Sequence, residues 1–402
     1  MVQSRHSGGN AHLPALDGIR GIAILLVLLH HLAFYGGIRP TITVDTVFYA
    51  VAQAGWCGVD LFFVLSGFLI TGILYDAKPA EHYFSNFYMR RVLRIFPLYY
   101  GTLIVFFWVL PNFVLLNEKF QALIQGQGWY WSYLVNWQIG FKGWPPYYAI
   151  SHFWSLAIEE QFYLVWPLIV FFFSRRQLLM ICVAVIAGSF VVRVGLRLAD
   201  YPIAAYVLTP ARMDTLAIGA LLALIARGPD GLSKLSRWAG PVALVTGGAI
   251  TAYFVAKRSL DADTAFMQTA GYPLLAAFFG AILVVGVTAQ RQTATATFFA
   301  HPALVFFGRY SYALYVFHHP IIFYVRQHGF RVSNLPAIFG SQLPGQLLYS
   351  VVVGGVTVIL ALLSWYLYES RFLKLKRFFP YQRATPRIVV EKYEEVSHVP
   401  AP

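Results

Sequence analysis

Charge is what this chain has least of. Only 12% of its 402 residues are Asp, Glu, Lys or Arg, against roughly 25% in soluble domains, while 58% are apolar and 17% aromatic. That scarcity excludes an ordinary soluble protein and points to one embedded in a bilayer. At about 20 apolar residues per crossing, the length allows about ten helical spans and leaves little chain for a catalytic domain outside them. Any chemistry then sits within the spans. Cysteine is nearly absent: Cys57 and Cys182 lie in unrelated hydrophobic stretches, which excludes a disulfide framework or a Cys-based metal site and leaves two buried thiols. Internal repeats and low-complexity tracts are lacking too. Acidic residues number 17 against 30 basic ones, for a net charge of +13. The basic residues form no continuous stripe, so no nucleic-acid partner is indicated, and they serve as topology signals.

Hydropathy with turn and charge punctuation predicts spans near 18–35, 56–75, 95–113, 152–173, 177–197, 203–225, 239–256, 270–288, 302–325 and 346–368. The fold class is an all-α integral membrane bundle of about ten helices. Arg5 and the apolar run Ile22 to Leu29 resemble a signal peptide, but Asp17, Arg20, His30 and His31 flank the run and no good cleavage site follows, so it is read as a retained first span. With the N-terminus inside, nineteen Lys and Arg fall on the inner side and nine on the outer, which places both termini in the cytoplasm. The location expected is a bacterial-type cytoplasmic membrane. Residues 1–370 form the transmembrane domain, and 371–402 a basic tail, interfacial and then flexible. The Trp- and Tyr-rich stretch 114–151 suits the headgroup zone or a cap over a site.

Ionisable groups inside spans are costly and are functional hypotheses by default. Arg20 and His31 are eleven residues apart, so they return to within about 20° of one helix face, roughly 16 Å apart. His30 lies off that line. Lipid snorkelling by Arg20 and a helix–helix hydrogen bond from His31 are the structural alternatives. Asp60 enters the second span beside Gly58, Ser66 and Gly67; it is placed to orient His31, or else to cap its helix. Arg90, Arg91 and Arg94 offer two guanidinium groups on one face, which suits phosphate oxygens, though a positive-inside anchor explains one or two of them. At the start of the fourth span His152, Ser155 and Glu159 share a face and Glu160 points elsewhere. His152 and Glu159 do not have a metal-ligand spacing. Arg212, Asp214, Arg309, His318, His319 and Glu369 complete the set. Sorted by depth, Asp60, His31, Glu159, His318 and His319 fall in the outer half, and Arg20, Arg90, Arg91, Arg94, Arg309 and Glu369 in the inner half.

These segments resemble the acyltransferase-3 family of multi-spanning membrane acyltransferases. The likeness rests on Leu16-Asp17-Gly18-Ile19-Arg20-Gly21 with His31, on Gly58 to Phe68, on Arg91-x-x-Arg94, on Trp154 to Tyr163, and on Ser311-Tyr312-Ala313-Leu314-Tyr315 leading to His318-His319, with Tyr368-Glu369. It covers residues 13 to about 377. The resemblance implies transfer of an acyl group, usually acetyl from acetyl-CoA, to a hydroxyl of a carbohydrate or related acceptor at or beyond the membrane. In family terms His31 is the essential histidine, Arg20 its motif partner, and Arg91 and Arg94 meet the CoA phosphates; Arg90 and Arg309 join them as candidates. The extracellular hydrolase-like domain that some members carry after the last span is missing from the sequence. Acyl delivery is therefore expected inside a membrane pore or to a separate partner protein.

A thioester donor requires a base for the acceptor hydroxyl, a hold on the carbonyl oxygen and an anchor for CoA. His31 is the base or, by a covalent route, the acyl carrier, and the sequence leaves both open. Asp60 orients it, Glu159 or Glu160 binds acceptor hydroxyls or supports charge transfer, and Gly67, Ser66, His152, Ser155, His318 and His319 line the substrate pore. Gly67 is the expected constriction. No metal is called for. The rival reading is a proton-coupled transporter, for which buried His, Asp, Glu and Arg are equally typical.

Overall fold

A backbone in hydrocarbon must satisfy its own N–H and C=O groups, which favours helices. The computed structural model describes residues 13–113 and 118–381; among them the only extended pairing is an isolated bridge between Ile338 and Ser341. In chain order the helices are α1 (Pro14–Gly36), α2 (Thr43–Gln53), α3 (Gly58–Ala77), α4 (Tyr83–Ile104), α5 (Glu118–Gln125), α6 (Gln127–Trp131), α7 (Val135–Lys142), α8 (Phe153–Phe172) and α9 (Arg175–Leu198). They continue as α10 (Pro202–Val207), α11 (Thr209–Ile225), α12 (Ser233–Lys257), α13 (Tyr272–Thr288), α14 (Ala294–Phe299), α15 (Pro302–Gln327), α16 (Leu343–Ser364) and α17 (Ser370–Lys374). Local punctuation explains several bounds. Pro14 opens α1 where no N–H is needed, Gly37 at φ 80° ends it, and Ser174 with Gln177 forms a reciprocal cap on α9.

Nine helical stretches among the described residues are long and apolar enough to cross a membrane. The remaining expected span, α15, is 26 residues long, and its histidines, tyrosines and Arg309 make it less apolar than the rest. It is sheltered by packing along α1. Leu244, Val245, Val191 and Val351 stand exposed on α12, α9 and α16, an outer belt that only lipid would cover. The chain is an all-α integral membrane protein.

Several details differ from the sequence reading. The stretch between the first two expected spans is itself helical as α2, and its Asp45 accepts hydrogen bonds from Thr41, Ser341 and the Gln342 backbone, tying it to the loop before α16. The third span begins earlier than expected, so Arg90, Arg91 and Arg94 lie inside α4. Residues 118–142 form the short helices α5 to α7. Arg193 of α9 is fully buried and so is no topology signal. The cations at 5, 383, 387 and 392 and the tail beyond 381 lie outside the described residues.

Two helix crossings position the functional groups. In the first, a Cβ on Gly21 of α1 would fall 2.0 Å from the Leu304 carbonyl oxygen, and one on Gly308 of α15 would fall 1.8 Å from that of Asp17. The two backbones therefore touch, as small residues permit. In the second, Gly67 of α3 meets the Leu216 carbonyl oxygen at 1.9 Å by the same construction, and Gly219 of α11 meets that of Val64 at 2.0 Å. Gly67 thus seals α3 to α11 and is not a pore constriction; its neighbour Ser66 faces the cavity instead. Gly67→Ala should lower the thermal midpoint of the purified protein, by about 1–3 kcal/mol of stability from backbone overpacking. An unchanged midpoint would show that the crossing relaxes freely.

Candidate active site

The helix crossings enclose a cavity of about 120 Å³. Arg20 contributes from α1, Phe62 and Ser66 from α3, Arg91 and Arg94 from α4, Ser155, Glu159, Glu160 and Tyr163 from α8, and Tyr312 and Tyr315 from α15. Arg91 and Arg94 make no hydrogen bond or ion pair among the described residues, and the buried Arg91 Nε has no partner. Guanidinium groups left free in a membrane interior are placed to meet an anion. Glu159 and Glu160 both line this cavity, which corrects two expectations. Glu160 does not point elsewhere, and Glu159 belongs with the inner arginines.

Two hydroxyl pairs stand in the wall. Ser66 hydrogen-bonds Tyr163, and Ser155 Oγ lies 2.5 Å from the Tyr315 hydroxyl. Both hydroxyls also lie within reach of the His152 carbonyl, at 3.3 and 3.1 Å; with two protons for three contacts, one hydroxyl donates to the other, which donates to the carbonyl. That pair divides the cavity from a chamber of imidazoles. His31 meets His318 and His319 edge to face at ring separations of 4.8 and 5.1 Å, and His152 lies 5.0 and 4.9 Å from the same two rings. Tyr35, one turn after His31, stacks on it, and Tyr148 stacks on Tyr35. His30 is turned away, its Nδ1–H donating to the Gln53 carbonyl at 2.9 Å.

The stretch before α8 roofs the chamber. His319 Nδ1–H donates to the Ala149 carbonyl at 3.1 Å. Gln161 secures this roof from α8, donating to the Tyr133 carbonyl at 2.7 Å and to Asn136 at 2.9 Å, and accepting from Thr209 at 2.5 Å. His152, His318 and His319 are buried. Among the described residues no group of three or more His, Cys, Asp or Glu is arranged to hold a metal ion.

Three expected site residues lie elsewhere. Asp60 pairs with Arg212 at 2.5 Å, both fully buried, so it does not orient His31. Arg90 donates to the carbonyls of Lys376 and Phe379 and covers the Tyr381 ring; it pins the segment after α17 rather than lining the cavity. Arg309 is exposed and lies over Tyr310 and Trp365. Conversely, Tyr35, Tyr163 and Tyr315 were quoted or passed over without a role. Helical spacing would have found them: Tyr35 is four residues from His31, Tyr163 four from Glu159, and Tyr315 three from His318.

No solved structure matches the chain. The O-acetyltransferases OatA of Staphylococcus aureus strains NCTC 8325 / PS 47 and MRSA252 are each 27% identical over 337 residues, 79% of this chain and 52% of theirs. A protein of strain COL, named provisionally as an O-acetyltransferase, is 27% identical over 387 residues, 90% of this chain and 58% of its own. The chain thus spans about half the length of these relatives. A profile described as an acyltransferase domain matches residues 13–367, nearly the whole described bundle, and the chain belongs to the acyltransferase-3 family.

Proposed function

We propose that this chain transfers an acyl group, acetyl in the simplest case, from acyl-CoA on the cytoplasmic side to a hydroxyl of a carbohydrate or related acceptor at the far side of a bacterial-type inner membrane. The observation that carries the reading is a juxtaposition: a cavity lined by three guanidinium groups lies against a histidine chamber, with the Ser155–Tyr315 pair between them. At about 120 Å³ the cavity has room for a few waters, at about 30 Å³ each. It therefore suits the end of a pantetheine arm, while the nucleotide stays outside against Arg91, Arg94 and Arg20.

In this reading His31 acts as the base. As the acceptor oxygen forms its bond to the thioester carbonyl carbon, its proton passes to His31 Nε2. The C–S bond breaks, and the CoA sulfur leaves with that proton. In this reading the hydroxyl of the Ser155–Tyr315 pair that donates to the His152 carbonyl turns to the thioester carbonyl oxygen as that oxygen gains charge, which stabilises such a transition state. Glu159 and Glu160 supply acceptor positions for hydroxyl groups. The acceptor's class is a hydroxyl compound, with a saccharide of the envelope and a group on a partner protein both within it. The O-acetyltransferase names of the relatives support the acetyl group.

The test is incubation of the reconstituted protein with ¹⁴C-acetyl-CoA and a panel of glycans. Labelled ester with release of free CoA thiol is expected; intact thioester with proton movement would point to a transporter. Arg91→Ala and Arg94→Ala should each weaken acetyl-CoA binding by roughly 1.5–3 kcal/mol, or about tenfold to a hundredfold. Binding of an acetyl-pantetheine thioester, which has no nucleotide phosphates, should hardly change. Equal losses on both donors would mean that the arginines hold the fold.

A further inference from the structure

Tautomers in the histidine chamber follow from its backbone partners. A carbonyl oxygen only accepts, so a ring nitrogen bonded to one carries the proton, and the other nitrogen of a neutral ring is a lone pair. His31 Nδ1–H donates to the Val27 carbonyl at 2.9 Å. His318 Nδ1–H donates to the Tyr315 carbonyl at 2.7 Å, with the Leu314 carbonyl at 3.2 Å. His318 Nε2 is therefore an acceptor, and it lies 3.4 Å from His31 Nδ1. His31 Nε2 makes no hydrogen bond among the described residues. The Asp60 carboxylate, the expected partner, is committed to Arg212.

We propose that His318 is the positioning residue of His31: a neutral imidazole whose Nε2 lone pair takes the second share of the His31 Nδ1 proton, doing what a carboxylate does in other histidine sites. The inference rests on the reading above that His31 Nε2 receives the acceptor's proton. A relay of orientation runs from the Tyr315 carbonyl through His318 to His31 and leaves His31 Nε2 free for substrate. It fixes the His31 tautomer with Nε2 bare. When Nε2 takes a proton, the Nδ1–H of the resulting imidazolium is held by two acceptors, Val27 oxygen and His318 Nε2. No protein anion is needed in the chamber, where a carboxylate would carry a large desolvation cost of its own. The hydroxyl of the same Tyr315 pairs with Ser155 at 2.5 Å and lies 3.1 Å from the His152 carbonyl, so one residue ties the orientation of the base to the wall of the donor cavity.

Two side chains separate this role from simple packing. Asparagine at 318 places an amide where Nδ1 stands and retains the bond to Tyr315, but loses the acceptor facing His31. Glutamine reaches the position of Nε2 and restores an acceptor there. With ¹⁴C-acetyl-CoA as donor, and with chitotetraose and water both present as hydroxyl probes, CoA thiol release by the full-length protein in liposomes reports turnover. His318→Asn should lower kcat by about tenfold to a hundredfold, a part of the 10²–10⁴ that general base catalysis supplies. KM for acetyl-CoA should stay within about threefold, and His318→Gln should recover most of the loss. Equal kcat losses in both variants, a loss confined to KM, or no loss would overturn the proposal. His31→Asn in the same assay tests the underlying reading: an active His31→Asn protein removes the base, whereas an inactive one beside a fully active His318→Asn protein removes only the positioning role. Nitrogen NMR of ¹⁵N-histidine-labelled wild-type protein decides independently of any variant's folding. His31 and His318 should both show protonated Nδ1 and bare Nε2, and a His318 protonated at Nε2 sinks the proposal.

Discussion

His31→Asn is expected to end acyl transfer, with kcat falling by about 10²–10⁴, while the yield of monodisperse protein should stay near that of the wild type. The ring is half-buried and its one backbone bond runs to a carbonyl within its own helix, so asparagine leaves little packing undone. His30→Asn should cost only a few-fold. That ring points to the Gln53 carbonyl and stacks on Phe34, outside the chamber shared by His31, His152, His318 and His319. Thiol release from acetyl-CoA, measured on both variants at equal folded protein, checks the pair. An inactive His30 variant beside an active His31 variant would move the base to the other ring.

The Arg20–His31 relation was legible in the sequence because it lies within one helix. A separation of eleven residues fixes both face and distance, and the structure places Arg20 on the cavity and His31 in the chamber beyond it. Arg91 and Arg94 were legible for the same reason, and Arg90, one residue earlier on a different face, was not. The spans followed from hydropathy alone, since the bilayer enforces helix. What failed was information carried between helices. Arg212 is 152 residues from Asp60, and nothing local in either segment names its partner. Gly67 and Ser66 sit side by side, but which of them faces a neighbouring helix depends on where α11 runs.

Glu159 shows the same limit in depth. The sequence reading starts the fourth span at the outer surface, which puts Glu159 in the outer half. In the structure α8 begins at the level of the histidines, with His152 and Ala149 already touching His319. Glu159 then lies roughly 10 Å further in at 1.5 Å per residue, among the arginines. The aromatic stretch before α8 dips inward to roof the chamber, and hydropathy does not register such a dip.

Asp60→Ala should cost about 3–5 kcal/mol of stability, the penalty for stranding a buried charge, and much of the protein should fail to reach a folded state. Asp60 and Arg212 are both fully inaccessible and 2.5 Å apart. The guanidinium is boxed by rings, with Tyr272 at 4.3 Å, Tyr206 at 5.4 Å and Phe63 at 5.8 Å. Tyr272 also lies under Arg193 at 5.1 Å, itself paired with Asp214 at 2.7 Å. Two cations and two anions thus share one aromatic box between α3, α9, α11 and α13, balanced only as a set. Asp60→Asn keeps a hydrogen-bond acceptor but leaves the cation uncompensated, so it should fall between wild type and Asp60→Ala. Replacing both partners by leucine should recover most of the loss, because an apolar pair carries no desolvation penalty. The thermal midpoint in detergent, read with thiol release per folded molecule, separates this role from catalysis. If Asp60 instead acted on His31, the folded fraction of Asp60→Asn would turn over slowly and the double leucine variant would stay inactive at normal stability. Slow turnover in well-folded single and double variants would return Asp60 to the active site.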